Sequence, residues 1–191
     1  MKFARAFKPG EVETYGMELS FGTSTRVNCD IEYKVVSITR DGASVHLKMA
    51  QVKMPTGMSP DTAPEITRSF GPMNLPADIK FGTGNQDEGY IFLLVAGITT
   101  NQEVVAGQSL SVSWQNDAKS LKISGKGQIK SIDSSTHKMT VDWVLTMTPA
   151  ADTAGQFKLT SVYSTDNFSL IRTDGSIGFS GQSISVHINR R

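Results

Sequence analysis

Apolar and polar residues alternate with a period of two through most of this chain, and no other feature constrains its fold as strongly. The clearest run is MTVDWVLTM at residues 139–147, in which every second residue from Met139 onward is apolar. Successive side chains of a β-strand point to opposite faces, so this period indicates strands with one buried face and one polar face. Turn signals separate about ten or eleven such runs.

Two Asp-Gly dipeptides favour tight hairpins. Asp41-Gly42 and Asp174-Gly175 each lie between alternating runs. Asp-Gly suits the type I′ turn because both central residues of that turn have positive φ. The sequence therefore predicts a hairpin at each dipeptide, with antiparallel strands on either side.

Two local features predict departures from a flat sheet. The alternation shifts by one residue near Ala50, which predicts a β-bulge. Gly125 and Gly127 lie on the face that also carries Ile123 and Ile129. We expect the sheet to bend at these glycines, or another group to come close to them.

The longest apolar run, within residues 87–100 (DEGYIFLLVAGITT), does not alternate. Its length favours a buried helix, and Asp87 and Glu88 suit the positive end of a helix dipole. A central strand is the alternative, because Ile, Phe and Val favour strands while Gly89 and Gly97 disfavour a helix.

The period is also lost over residues 55–86, which hold five of the seven prolines. A loop of this length is unusual in a compact domain and is more often functional. We expect it to cover one mouth of the sheet. At the start of the chain, residues 3–8 indicate a short strand that ends at the turn Pro9-Gly10.

These patterns predict one β-rich domain over residues 1–191. Its fold class is mainly β, a large curved antiparallel sheet or half-open barrel of about ten or eleven strands around one helix. A two-sheet β-sandwich is the alternative, since so large a sheet has to curl or split. The length is sufficient for a sizeable core, and composition does not shift at any point that would mark a second domain.

Charge and composition exclude several classes of function. A net charge of +1 without a cluster of Lys and Arg gives no electrostatic case for binding nucleic acid or an anionic membrane. No apolar run reaches the ~18 residues of a transmembrane helix. The single cysteine, Cys29, rules out an intramolecular disulfide. The oligomeric state is left open.

The residues that most often carry catalysis are dispersed. His46, His137 and His187 lie on separate runs without metal-ligand spacing, and His46 and His187 are predicted on the outer, polar face. Cys29 is predicted inward as a small apolar core residue, because no neighbouring base would lower its pKa. We therefore expect no enzyme activity, no metal and no cofactor.

Carboxylates give no catalytic pair either. Asp30, Glu32 and Asp142 alternate with core residues, which predicts solvated positions on the outer face. Glycoside hydrolysis needs two carboxyl groups that face one cleft, and the pattern assigns no such pair.

The predicted inner face is rich in methionine and aromatic residues. Methionine adapts to irregular shapes, so such a face suits a lipid or another apolar small molecule. The alternative is that these side chains only fill the space between sheet and helix. The predicted ligand-binding residues are Tyr15, Met17, Tyr33, Met49, Phe92, Trp114, Met139 and Trp143.

The chain resembles a group of uncharacterised exported bacterial β-proteins. The resemblance lies in Phe7-x-Pro9-Gly10 followed by Tyr15, the Asp41-Gly42 hairpin, the mid-chain apolar stretch, Gly107 before a strand ending in Trp114, and long hairpins to the C-terminus. In architecture it is similar to the bacterial lipoprotein carriers (LolA/LolB-like), whose helix-covered half-open barrel holds acyl chains. They have several helices, whereas this chain has one candidate.

This resemblance implies an exported, periplasmic or extracellular protein. The first residues, MKFARAFKPGE, lack the apolar region of a signal peptide, so a leader would already have been removed. Our first expectation is a non-catalytic exported protein that binds a lipid or other apolar ligand inside a curled sheet. The alternative is a structural or protein-interaction β module with a filled core and no ligand.

Overall fold

The computed structural model describes residues 1–23, 25–53, 65–71, 73–75, 97–116, 119, 121–149, 154–179 and 181–191. The described residues form one antiparallel sheet in the order β4-β3-β2-β1-β10-β9-β8-β7-β6-β5, so the predicted large antiparallel sheet is confirmed. It is open, with β4 and β5 at its edges, and a division into two separate sheets is not observed. The ten strands are β1 (Val12–Phe21), β2 (Thr25–Thr39), β3 (Gly42–Lys53), β4 (Glu65–Phe70), β5 (Ser109–Gln115), β6 (Leu121–Asp133), β7 (Lys138–Pro149), β8 (Gly155–Ser164), β9 (Leu170–Phe179) and β10 (Gln182–Arg190).

The alternating pattern divides the sheet into two faces. On β7, Trp143 is 2% exposed whereas its neighbour Val144 is 59% exposed. We call the face that carries Trp143 the inner face and the opposite one the outer face. β1 pairs with β10, with Tyr15 opposite Arg190, so the first and last strands meet in the middle of the sheet.

The two Asp-Gly dipeptides have different outcomes. A tight turn between Thr39 and Gly42 joins β2 to β3, so the first hairpin is confirmed. The second prediction is wrong, because β9 continues through Gly175, which pairs with both Leu159 and Val186. A Cβ atom at Gly175 would lie 2.1 Å from the carbonyl oxygen of Lys158, so this glycine permits a close approach of two strands and makes no turn.

The strand count also differs in detail from the predicted one. Residues 3–8 do not form a strand, since only an isolated bridge joins Lys2 to Glu103. β4 was missed because it lies inside the stretch that lacks a period. The bulge near Ala50 is confirmed by a register change between Asn28 and Asp30 of β2.

The predicted helix is not confirmed, because no helix occurs among the described residues. Residues 87–96 lie outside them, and residues 97–100 are not helical. The predicted cover at residues 55–86 also lies outside, apart from β4, 65–71 and 73–75. Where the structure describes the chain, no helix has the length and apolar character needed to cross a membrane.

The N-terminal segment, residues 1–11, lies on the inner face beside residues 97–104. The Phe3 amide donates to the carbonyl oxygen of Gln102 at 2.7 Å, and the Asn101 amide donates to the carbonyl oxygen of Phe3 at 2.7 Å. The Ala6 amide donates to the carbonyl oxygen of Asn167 at 2.9 Å. These backbone bonds attach the segment to other parts of the chain along much of its length.

Candidate functional site

The predicted ligand-binding residues that the structure describes lie on the inner face, as the alternation required. Trp114 is partly buried against the core, and Phe92 lies outside the described residues. The others are at most 5% exposed and come from four strands: Tyr15, Met17, Tyr33, Met49, Met139 and Trp143. Their position is thus confirmed, whereas their role in binding stays a prediction.

An aromatic cluster fills the inner face above β7 and β8. The Phe3 ring lies 6.3 Å from Trp143 in a stacked arrangement and 4.9 Å from Tyr163 edge to face. Phe168 adds a third contact, with ring centroids 5.3 Å apart. Phe3 is fully buried. The chain's own N-terminal segment therefore occupies the part of the predicted binding region that lies beside Trp143.

The hydroxyl group of Tyr163 joins this cluster to residues 97–100. It accepts a hydrogen bond from Nε1 of Trp143 at 3.2 Å and donates one to the carbonyl oxygen of Ile98 at 2.9 Å. Burial raises the pKa of Tyr163, so the hydroxyl stays protonated and keeps both bonds. The two bonds hold the indole and the backbone of Ile98 in fixed positions.

On the inner face, the described residues line a cavity with a volume of about 30 Å³. This is room for roughly one water molecule, whereas sites for small ligands occupy about 300–1,000 Å³. Of the predicted ligand-binding residues that the structure describes, only Trp143 lines it. The lining residues are Ile98, Ile123, Trp143, Leu145, Met147, Phe157, Leu159, Ser161, Tyr163 and Thr173.

A buried ion network lies at the other end of the inner face. Arg5 contacts Glu13 at 3.2 Å and Glu11 at 3.1 Å. Arg190 donates to Glu13 Oε1 at 2.9 Å, and the Tyr15 hydroxyl donates to Glu13 Oε2 at 2.7 Å. Two arginines thus balance two carboxylates. Burial, followed by the charge of Glu13, raises the pKa of Tyr15.

This network was missed in the sequence, although a signal for it exists. Glu13 has the same phase as Tyr15 and Met17 on β1, so the alternation itself directs its carboxylate inward. A buried carboxylate requires a cationic partner, but the sequence does not show which arginine supplies it. Arg5 lies on the irregular N-terminal segment, and Arg190 becomes a neighbour only because β1 pairs with β10.

On the outer face, the described residues line two grooves that share Asn189. The first has a volume of about 290 Å³ and is lined by Glu18, Lys53, His187 and Arg191 among others. Arg191 contacts both carboxylate oxygens of Asp30, at 2.8 and 2.7 Å. Asp30 was predicted to be solvated, and this is wrong because Arg191 covers it and leaves it 9% exposed.

The second groove has a volume of about 450 Å³ and crosses five strands of the outer face. We call it the β6–β10 groove. Its walls contain two cationic side chains and one carboxylate, together with hydroxyl, amide and aliphatic groups. The lining residues are Ser131, Asp133, Thr136, Lys138, Thr140, Val162, Ile171, Arg172 and Asn189.

The histidines lie on the outer side, as predicted for His46 and His187. The imidazoles of His137 and His187 contact Asp166 and Asp174, respectively, in exposed pairs. In the part of the chain that the structure describes, no three metal-ligating side chains come together.

Cys29 lies inward, as predicted, and is 3% exposed. Burial, with a smaller contribution from the charge of Asp30, raises the pKa of its thiol to about 11. The thiolate needed for nucleophilic attack is therefore scarce at neutral pH.

Comparisons with protein-family models, with curated proteins and with solved structures found no match. Function is therefore inferred from the geometry of the chain's own residues.

Proposed function

We propose that this protein is a non-catalytic binding module whose inner face is structural and whose ligands bind on the outer face. The observation that carries the proposal is the difference in open volume between the two faces. The inner cavity measures about 30 Å³, whereas the two outer grooves measure about 290 and 450 Å³. Of these three cavities, all lined by residues that the structure describes, the outer grooves approach the volumes typical of ligand sites, about 300–1,000 Å³.

The groups that occupy the inner face support a structural role. Phe3 and Arg5 of the N-terminal segment are both buried there. Arg5 is held by two carboxylates, and Phe3 is held by three aromatic rings. An apolar ligand that displaced this segment would separate Arg5 from Glu11 and Glu13, and breaking a buried ion pair costs about 3–5 kcal/mol.

The exposed histidines and the buried cysteine support the absence of catalysis. The imidazoles of His137 and His187 pair with Asp166 and Asp174 in exposed positions, and no three metal-ligating side chains come together among the described residues. Cys29 is held as a buried neutral thiol. Export to the periplasm or the cell exterior stays part of the proposal on the sequence resemblance alone.

Binding of an apolar ligand to the inner face is a second candidate. It is favoured by the walls of the inner cavity, which are apolar apart from a few hydroxyl groups. Ser161 and Thr173 supply two of these groups and satisfy each other at 2.9 Å. An expanded form of this cavity would suit an acyl chain, as the resemblance to the lipoprotein carriers implies.

Titration with a fluorescent long-chain fatty acid separates the two candidates. The full chain is expected to show no saturable binding, and native mass spectrometry is expected to show no co-purifying lipid. The matched variant is Leu159→Phe, which enlarges a side chain that lines the inner cavity. Saturable binding that this variant weakens would contradict a structural inner face and establish the apolar ligand.

A further inference from the structure

We propose that the β6–β10 groove binds a small molecule that combines an anionic oxygen group, phosphate or carboxylate, with an apolar portion. This inference rests on the proposed function, because it assigns a ligand class to the outer face. The shape of the groove, the donors that remain open in it and its apolar floor each contribute to the assignment.

Two β-bulges shape this part of the sheet. In β9 the register with β8 passes from Arg172 opposite Val162 to Leu170 opposite Tyr163, which leaves Ile171 without a partner. In β6 the register with β7 omits Lys130 in the same way. A bulge bends its strand and redirects side chains, and bulges are common beside binding sites. The groove lies between the two bulges and includes Ile171.

Two cationic side chains in the groove have donors to spare. Arg172 donates through Nε to Asp174, while its terminal nitrogens have no partner among the described residues. Lys138 has no ionic partner within the same described part of the chain. From a strand spacing of about 4.8 Å and a rise of about 3.3 Å per residue, their Cα atoms lie roughly 12 Å apart. Both long side chains can therefore reach one bound group.

The single carboxylate in the groove is already occupied. Asp133 accepts hydrogen bonds from the backbone amides of Ser135 and Thr136 and from both of their hydroxyl groups. The hydroxyl bonds, followed by the backbone bonds, hold the pKa of Asp133 below its usual range. Because its acceptor sites are used within the turn, it offers little to a cationic ligand. The free charge in the groove is therefore positive.

The floor of the groove explains the apolar portion. Val162 and Ile171 lie on the outer face, which is otherwise mostly polar, and both are only partly buried. They are adjacent because the bulge places Ile171 beside the residue opposite Val162. Hydroxyl groups of Ser131 and Thr140 and the amide of Asn189 surround them and can bind further oxygens. Ligand pockets commonly combine such an apolar surface with a few polar groups.

The first outer groove is less suited to the same ligand. Its Arg191 already makes a two-point contact with Asp30, and its wall includes Glu18. A two-point arginine–carboxylate contact uses the fork geometry with which arginine would bind a second anion. The β6–β10 groove is therefore the stronger site for an anion.

Isothermal titration of the full chain with four probes tests the assignment. Phenyl phosphate and benzoate distinguish phosphate from carboxylate, inorganic phosphate lacks the apolar portion, and phenol lacks the charge. We expect saturable binding of phenyl phosphate or benzoate, at least tenfold tighter than binding of inorganic phosphate or phenol. Equal affinity for all four probes, or no saturation with phenyl phosphate or benzoate, would overturn the inference.

Three variants locate the binding. Arg172→Gln and Lys138→Gln are each expected to weaken binding about tenfold, as for a hydrogen bond to a charged group. Ile171→Ser is expected to weaken the binding of phenyl phosphate and to leave the affinity for inorganic phosphate unchanged. The matched control is Lys158→Gln, an exposed lysine of the outer face outside the groove, with a change below about twofold because isolated surface charges contribute little.

Circular dichroism establishes that each variant is folded. Equal weakening by Lys158→Gln would indicate general attraction of anions and would overturn the site. If phenyl phosphate and benzoate do not bind while the fatty acid also fails to bind, the ligand class is wrong and the structural inner face stands. If only the fatty acid binds, both proposals fail.

Discussion

Arginine side chains pair with carboxylates on both faces of the sheet, but the two pairs differ in exposure and in whether the arginine keeps unpaired nitrogen donors. The Arg5 and Glu13 side chains on the inner face are 1% and 8% exposed. The Arg172 and Asp174 side chains on the outer face are 52% and 39% exposed. Arg5 uses its guanidinium on Glu11, Glu13 and the carbonyl oxygen of Asn167, whereas Arg172 keeps its terminal nitrogens for other partners.

The surroundings of each pair explain this difference. Burial removes water from Arg5, so each of its donors requires a partner within the protein. Water can satisfy the exposed donors of Arg172, and a ligand can replace that water. Partial burial by itself would raise the pKa of Asp174, but hydrogen bonds from Arg172 and His187 outweigh it and lower the pKa. The inner pair therefore joins the N-terminal segment to β1, whereas the terminal nitrogens of Arg172 can exchange water for another partner.

The same substitution at both arginines tests this contrast with the largest expected effect. Arg5→Met leaves the buried carboxylate of Glu13 with Arg190 as its one ionic partner among the described residues, and we expect a loss of about 3 kcal/mol in the free energy of unfolding. Arg172→Met breaks an exposed pair and should cost less than about 1 kcal/mol. Urea denaturation followed by circular dichroism measures both. Losses of equal size would show that the inner network is not structural.

Two strand glycines provide the next comparison. A Cβ atom at Gly127, on the inner face, would lie 2.4 Å from the Trp143 ring, whereas one at Gly178 would be 3.8 Å from the nearest atom. Gly127→Ala should lower the free energy of unfolding by about 2 kcal/mol through overpacking. Gly178→Ala should change it by less than about 0.5 kcal/mol, as for most surface substitutions. Urea denaturation of the two variants measures both changes. A Gly127→Ala variant as stable as the unchanged protein would indicate room beside Trp143 and contradict the prediction.

Loss of a single hydroxyl group should have a smaller effect. Tyr163→Phe removes the acceptor of Trp143 Nε1 and the donor to Ile98, and leaving these buried groups unpaired costs about 1–2 kcal/mol. The control is Thr160→Val, which removes an exposed bond to Asp142 on the outer face. Thermal unfolding monitored by Trp fluorescence should show a lower Tm for Tyr163→Phe alone. A similar decrease in the control would attribute the effect to the sheet as a whole.

The sequence predicts the repeating part of this structure well, because one rule places every second side chain. It directs Tyr15, Trp143 and Cys29 inward, and it also anticipates the close approach at Gly127. It fails at Asp174-Gly175, where the close contact with Lys158, and not a turn, accounts for the glycine. An Asp-Gly dipeptide looks the same in the sequence whether the glycine forms a turn or allows a neighbouring strand to come close.

The candidate site in the β6–β10 groove could not be predicted. The sequence presents Ile171 as an ordinary apolar residue of a strand. The register with β8 shows that it is the bulge residue and lies on the outer face. The two cationic side chains of the groove also come together only in the folded sheet. Lys138 and Arg172 are 34 positions apart in sequence, and the meander of β7, β8 and β9 brings them to one groove.

Cys29 and Asp30 are neighbours on β2, and their side chains lie on the inner and the outer face, respectively. Titration of the Cys29 thiol is expected to give the smallest change in stability of the effects compared between the two faces. Burial raises the pKa of the Cys29 thiol to about 11, against about 8.5 for a free thiol in the unfolded chain. The protonated thiol therefore stabilises the folded state fully below pH 8, and this stabilisation is lost as the pH rises towards 11. We expect about 0.7 kcal/mol less stability at pH 9 than at pH 8 from this group. Urea denaturation at both pH values measures it, and Cys29→Ala is the control that removes the difference. A pH dependence that persists in the variant would mean that another group on the sheet titrates and that Cys29 is not the source.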